Sequence, residues 1–208
     1  MEIFIIGAGG HAKQCIDIFE ENNYGIIGLF DDDTNKIGTL YYGYKVMDKI
    51  DNLSKYLSDA SYLFCAIGNN HDRKRICEKY KHFKFTQCIS QRAFISNSIN
   101  FNKRGNYVGH NALLLANVQI NNFNIINDGC IVPHDCIIGD YNHLSIRSVL
   151  GGRVVLRDLN LCGLNCTILP DIIIGSENII GAGAVVIKNV DDNKIIVGNP
   201  GKIINNLE

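Results

Sequence analysis

The chain has 208 residues, 46% of them apolar, and a formal net charge of −1. That is enough for one large domain or two small ones with a real core. The near-neutral balance argues against a basic surface built to hold nucleic acid, and no apolar run is long enough to cross a membrane. The N-terminal Met1-Glu2-Ile3-Phe4-Ile5-Ile6 has no basic n-region and no long apolar stretch, so no secretory signal is expected and a cytoplasmic location is.

In chain order, Ile3 to Ile6 reads as a buried strand, followed by the tight loop Gly7-Ala8-Gly9-Gly10-His11. Ala12, Cys15, Ile16 and Phe19 then recur at the spacing of an amphipathic helix. Gly25 to Phe30 is a second strand ending in Asp31-Asp32-Asp33, and Tyr62 to Ile67 is a third. Gly68-Asn69-Asn70 and a helix near Asp72 to Tyr80 follow. Alternating strands and helices predict a small parallel sheet over residues 1–90. In such a sheet a ligand sits beyond the carboxyl ends of the strands, where loops 7–11, 31–33 and 68–70 meet. Glycine amides at a helix start suit phosphate, and an acid after the second strand suits ribose or base donors. Position 12 is alanine, so the glycine fingerprint fits only in its alanine-ended variant. A nicotinamide dehydrogenase is the competing reading of this loop, but 90 residues leave little room for a complete dinucleotide domain.

Residues 91–208 follow another rule. Every sixth residue from Val108 to Val186 is aliphatic or cysteine. A period of six fits neither a 3.6-residue helix nor an alternating strand; it predicts a triangular parallel β-helix in which three hexads close one coil and positions stack every eighteen residues. Glycine follows the aliphatic residue at Gly109, Gly139, Gly151, Gly163, Gly175 and Gly181, where it is expected to relieve crowding at the turn. Compact residues such as Ala112, Cys130, Asn142 and Ser148 stand four after it and are assigned to the bend. Asn121, Asn122, Asn124 and Asn127 suit left-handed corner conformations, with a compositional bias toward Asn, Ile and Lys as the alternative source of some of them. The segment Ile95 to Arg104 slips out of phase by one residue.

The eight cysteines lie within apolar or repeat patterns and are expected as buried thiols. With no tight Cys-x-x-Cys pair, no metal is expected. His134 lies between Pro133 and Asp135 in an otherwise aliphatic stretch. His143 follows nine residues later, half of one coil, so the two histidines should point from opposite sides of the prism and could converge only across a subunit boundary. Arg153, Arg157, Lys188 and Lys202 lie along the repeat and its end, where CoA phosphates and plain solvent are both fitting neighbours.

Hexapeptide repeats after a small nucleotide-type domain resemble the sugar acyltransferases of the sialic acid O-acetyltransferase (NeuD/PglD-like) family, nearest to the UDP-4-amino-sugar N-acetyltransferases of the bacillosamine pathway. The likeness is carried by Gly7-Ala8-Gly9-Gly10-His11, Asp31-Asp32, Ala66-Ile67-Gly68-Asn69-Asn70, His134-Asp135-Cys136-Ile137-Ile138-Gly139, His143-Leu144-Ser145, Gly181-Ala182-Gly183-Ala184 and Val197-Gly198-Asn199-Pro200-Gly201-Lys202. The resemblance implies a left-handed β-helix, a homotrimer and acetyl-CoA as co-substrate. It implies His134 as catalytic base with Asp135 as its acid, where close relatives look to carry glutamate. It places His143, the Gly152 amide, Leu164 and Ala182 at the acetyl-CoA site; glycine is common where Ala182 stands. It places Gly9, Gly10, His11, Asp31, Asp32 and Gly68 at a UDP- or dTDP-linked 4-amino-4,6-dideoxy sugar, whose amine would be acetylated. Two other functions compete: O-acetylation of a sugar hydroxyl, as in the sialic acid type, and a non-catalytic structural subunit. The nucleotide-type loops favour N-acetylation over the first, and the His134-Asp135 pair argues against the second.

Overall fold

The computed structural model describes residues 2–99 and 104–206. The chain divides into two compact units, Met1–Gln91 and Arg92–Glu208.

The first unit is an α/β sheet. Strand β1 (Glu2–Ile6) is flanked in parallel by β2 (Gly25–Phe30) and β5 (Ser61–Cys65). A hairpin of β3 (Leu40–Tyr41) and β4 (Tyr44–Asp48), not expected from the sequence, extends the edge to give the order β3-β4-β2-β1-β5. Helix α1 (Gly10–Glu21) buries Ala12, Cys15, Ile16, Ile18 and Phe19; α2 (Asn70–Lys79) buries Arg73, Ile76 and Cys77. Burial of both faces explains why β1 reads as a continuous apolar run.

The second unit is the parallel β-helix. Two-residue strands stack every eighteen residues: Gln119–Ile120 on Ile137–Ile138 on Val155–Leu156 on Ile173–Ile174 along one face. A second face runs Leu113–Leu114, Ile131–Val132, Val149–Leu150, Thr167–Ile168 and Val185–Val186. The third runs Tyr107–Val108, Ile125–Ile126, His143–Leu144, Leu161–Cys162 and Ile179–Ile180. All fourteen aliphatic hexad positions are buried, at no more than 3% exposure. At about 25 cal/mol per Å² this column is the main stabilising term of the unit. Ile95 pairs with Leu114, one residue beyond the eighteen-residue spacing, which is the expected slip; residues 100–103 of that segment lie outside the described residues.

Two corner expectations are corrected and one holds. The left-handed residue of each corner is the third after the aliphatic one, and side chains of every kind occupy it, among them Phe123, Asp135, Arg147, Arg153, Leu159 and Glu177, with φ near +60°. Asn121, Asn122, Asn124 and Asn127 are not among the left-handed residues, whereas Asn111, Asn117 and Asn165 are. The glycines that follow the aliphatic residue do relieve crowding, as expected, against the next coil. A Cβ on Gly163 would lie 2.6 Å from the Ala182 nitrogen, and one on Gly151 2.3 Å from that of Pro170. The compact residues are interior rather than tolerant of a bend. Asn106, Asn124, Asn142, Asn160 and Asn178 are wholly buried, and each Oδ1 accepts the backbone N–H of the residue one coil on, at 2.8–2.9 Å. This polar spine satisfies backbone donors that the corner would otherwise bury unpaired. The eight cysteines are buried free thiols, as expected.

Candidate functional site

In the first unit, a cavity of about 470 Å³ is lined by Gly7, Gly9, Gly10, His11, Asp31, Asp32, Gly68 and their neighbours. It brings together all six residues assigned to the nucleotide sugar. Its floor is bare backbone: a Cβ on Gly9, Gly10 or Gly68 would meet nothing within 4 Å. Helix α1 follows its N-cap Gly9 with no side-chain cap and no acid in its first turn, so its first amides face the cavity, a fitting seat for a diphosphate. Gly7, at φ +101°, turns the chain into this loop with its Cβ position 3.0 Å from Ile67.

The two acids have different surroundings. Asp31 accepts the Ala8 N–H at 2.6 Å and the Asp33 N–H at 2.9 Å, so it braces the glycine loop. Asp32 is exposed and uses Oδ1 for the Ile50 N–H. His11 lies with Nδ1 3.2 Å from Gln14 Oε1. Sequence reasoning missed Arg73. It is 1% exposed, and its guanidinium donates to the carbonyls of Ile67 and Gly68 at 3.0 and 3.1 Å and to Asn70 Oδ1 at 2.7 Å. The available signal was its place with Ile76, Cys77 and Tyr80 at i, i+3, i+4, i+7, a core stripe carrying a charge.

In the second unit, His134 and Asp135 occupy the corner between strands Ile131–Val132 and Ile137–Ile138. The Nδ1 of His134 is 2.8 Å from Asp135 Oδ2, and Asn117 Nδ2 donates to Asp135 Oδ1 at 3.1 Å. A carboxylate only accepts, so in the neutral ring Nδ1 carries the proton and Nε2 the lone pair. The hydrogen bond from His134, then that from Asn117, holds the Asp135 carboxyl below the usual carboxylate range. Gly152 lies one coil on, and a Cβ there would fall 2.7 Å from His134 Nε2. One further residue along, Arg153 donates through Nε and Nη2 to both oxygens of Asp171, at 2.6 and 2.7 Å. That pairing raises the guanidinium and lowers the Asp171 carboxyl.

The other assigned residues lie elsewhere on the prism. His143 sits half-buried on the third face, which is opposite the His134 corner. Leu164 and Ala182, both exposed, stack on the corner between the third and second faces, where the Gly183 N–H bonds the Leu164 carbonyl. His134, Asp135 and Gly152 therefore form one group; His143, Leu164 and Ala182 line the other side. Among the described residues no cluster of three or more His, Cys, Asp or Glu could hold a metal ion, and no helix is long and apolar enough to cross a membrane.

The PglD N-terminal domain family matches residues 2–80. Over nearly its whole length the chain is similar to perosamine N-acetyltransferase from Caulobacter crescentus, solved as a histidine-to-asparagine mutant with CoA and GDP-perosamine. The two are 29% identical, covering 99% of this chain and 98% of that one, with TM-score 0.90. It is equally similar to the acetyltransferase domain of PglB from Neisseria gonorrhoeae in complex with acetyl coenzyme A, at 29% identity, 98% of each chain and TM-score 0.91. An uncharacterized protein of Acanthamoeba polyphaga mimivirus is 44% identical over 124 residues, 60% of this chain and 24% of that protein. The chain spans 24–57% of the length of the curated relatives it matches. The first unit thus matches the PglD N-terminal domain family, the second is a hexapeptide β-helix, and over nearly its whole length the chain is similar to solved sugar acetyltransferases.

Proposed function

We propose that the protein transfers the acetyl group of acetyl-CoA to the amine of a nucleotide-linked 4-amino-4,6-dideoxy sugar. The observation that carries this reading is the His134–Asp135 pair with Nε2 poised over Gly152. An amine attacks a thioester only through its lone pair. His134 Nε2 takes the amine proton as nitrogen bonds to the carbonyl carbon, and Asp135 stabilises the resulting imidazolium through Nδ1. Negative charge builds on the thioester oxygen, where the Gly152 amide donates. Collapse breaks the carbon–sulfur bond, the His134 imidazolium gives its proton to the leaving sulfur, and CoA departs as the thiol, leaving the amide. The acceptor's diphosphate sits on the bare glycine floor of the first unit, whose volume suits a ligand of that size. Acetyl-CoA lies along the side that carries His143, Leu164 and Ala182. The two groups meet where subunits of a homotrimer adjoin, because they face away from each other within one chain.

The nucleotide follows from likeness alone. The family resemblance implies UDP or dTDP, and the Caulobacter protein carries GDP-perosamine. The deciding experiment follows thiol release from acetyl-CoA over UDP-, dTDP- and GDP-linked amino sugars, with sialic acid as a hydroxyl acceptor. Release dependent on one of the amino sugars is expected. Release with sialic acid alone would assign O-acetylation, and none with any acceptor would overturn the reading.

A further inference from the structure

We propose that Asp171 is a positioning residue for this reaction: by occupying the guanidinium of Arg153, it keeps that cation off Asp135 and leaves Asp135 to hold His134. The inference rests on His134 and Asp135 being the reactive pair. Asn117, Asp135, Arg153 and Asp171 stand at successive eighteen-residue intervals on one corner, with φ of 60°, 61°, 61° and 64°. Identical backbone at stacked positions sends the four side chains out in the same direction, about 4.8 Å apart, the spacing of paired strands. Arg153 therefore lies between two carboxylates, Asp135 on one side and Asp171 on the other. Its charge acts on both.

The structure shows which carboxylate takes it. Both parallel hydrogen bonds of the fork go to Asp171, at 2.6 and 2.7 Å. Asp135 gives one oxygen to His134 Nδ1 and the other to Asn117. A guanidinium fork needs both oxygens of a carboxylate. On Asp135 it would displace the His134 and Asn117 donors, cancel the charge beside Nδ1 and lower the proton affinity of the ring. Among the described residues, the charged groups that act on Asp135, Arg153 and Asp171 are these three and His134, so without Asp171 the anion left for Arg153 is Asp135.

The test compares Asp171→Ala, Asp171→Glu and the double variant Asp171→Ala/Arg153→Ala by kcat, by KM for both substrates, and by NMR titration of the His134 ring, assigned with His134→Ala. Asp171→Ala is expected to lower kcat by about tenfold or more with both KM values little changed, the loss of a well-held base. It should also move the His134 titration to lower pH. Asp171→Glu keeps a carboxylate for Arg153 and should stay near wild type. Removing Arg153 as well should restore both kcat and the titration midpoint. A double variant as impaired as Asp171→Ala overturns the proposal, because Asp171 would then act on His134 directly. Unchanged kcat and midpoint in Asp171→Ala overturn it as well. If the wild-type protein acetylates no acceptor, the functional reading fails, and the titration alone decides whether Asp171 holds Arg153 away from the pair.

Discussion

The imidazole of His134 lies against the backbone of Gly152, one coil further along the same corner, where a Cβ would fall 2.7 Å from Nε2 and 2.8 Å from Cε1. Gly152→Ala is therefore expected to push the ring aside rather than to disturb the coil, since the atoms it meets end a movable side chain. Displacing a reacting group by about 1 Å can cost about 10²-fold in rate. The melting temperature should stay close to wild type while kcat falls by that order. Full activity in Gly152→Ala would place the reactive face of the ring elsewhere.

The pair should also set the pH dependence. The Asp135 carboxyl is depressed by its bonds from His134 and Asn117. A depressed carboxyl contributes above its unfolded value, near 3.9, and its contribution is lost as pH falls through the lower folded value. Asp135 thus stays ionised across the working range, and the acidic limb of kcat/KM should report the imidazole. Asp135→Asn removes the charge beside Nδ1 and should move that limb to lower pH with reduced kcat. His134→Ala should lose about 10²–10⁴-fold in kcat with both substrates still bound. Near-wild-type turnover at neutral pH would reduce His134 to a binding residue.

His143 lies on the face opposite the His134 corner, so the two should serve one site only across subunits. Mixing inactive His134→Ala chains with inactive His143→Ala chains should recover part of the activity after subunit exchange. Verified hybrids without recovery would confine both residues to one chain, or leave only one of them relevant.

In the first unit, Arg73 holds the carbonyls of Ile67 and Gly68 from beneath the cavity, and Asp32 stands exposed at its edge. Arg73→Lys keeps the charge but not the fork. It should raise KM for the acceptor, as should Asp32→Ala, with KM for acetyl-CoA nearly unchanged. Equal rises in both constants would point to general loosening of the fold.

Inside the β-helix, Asn142 accepts the Asn160 N–H at 2.9 Å. Asn142→Ala leaves that buried donor unpaired, a cost of about 1–3 kcal/mol. A lower melting temperature with unaltered kcat per folded molecule is expected; an unshifted melt would mean that the spine contributes little.

Much of this was legible because a six-residue period fits the triangular coil and neither an α-helix nor an alternating strand. It placed Ile138, Leu156 and Ile174 inward and set His134 and His143 half a coil apart. What escaped reading is what one period cannot separate. The first, third and fourth residues after each aliphatic one all fall near a corner, and only coordinates show which approaches the next coil, which is left-handed and which turns inward. Gly163, Arg153 and Asn160 illustrate the three cases. Asp31 and Asp32 read alike until hydrogen bonds assigned Asp31 to the glycine loop. Arg73 went unremarked because sequence does not reveal carbonyls waiting beneath a helix.

The buried asparagines also settle a choice that the apolar residues leave open. Each coil offers three interchangeable hexads, and sliding by six residues would still set aliphatic on aliphatic. It would also bring Asn142 beneath the columns that hold Cys130 and Ser148 or Cys136 and Val154, where no matching amide waits. A buried polar group without its partner is costly, so such a slip is penalised once in every coil. The spine therefore acts as a key cut for one phase. Deleting or duplicating eighteen residues keeps the key intact, whereas a change of six or twelve breaks it, although the oily pattern along the chain would look the same.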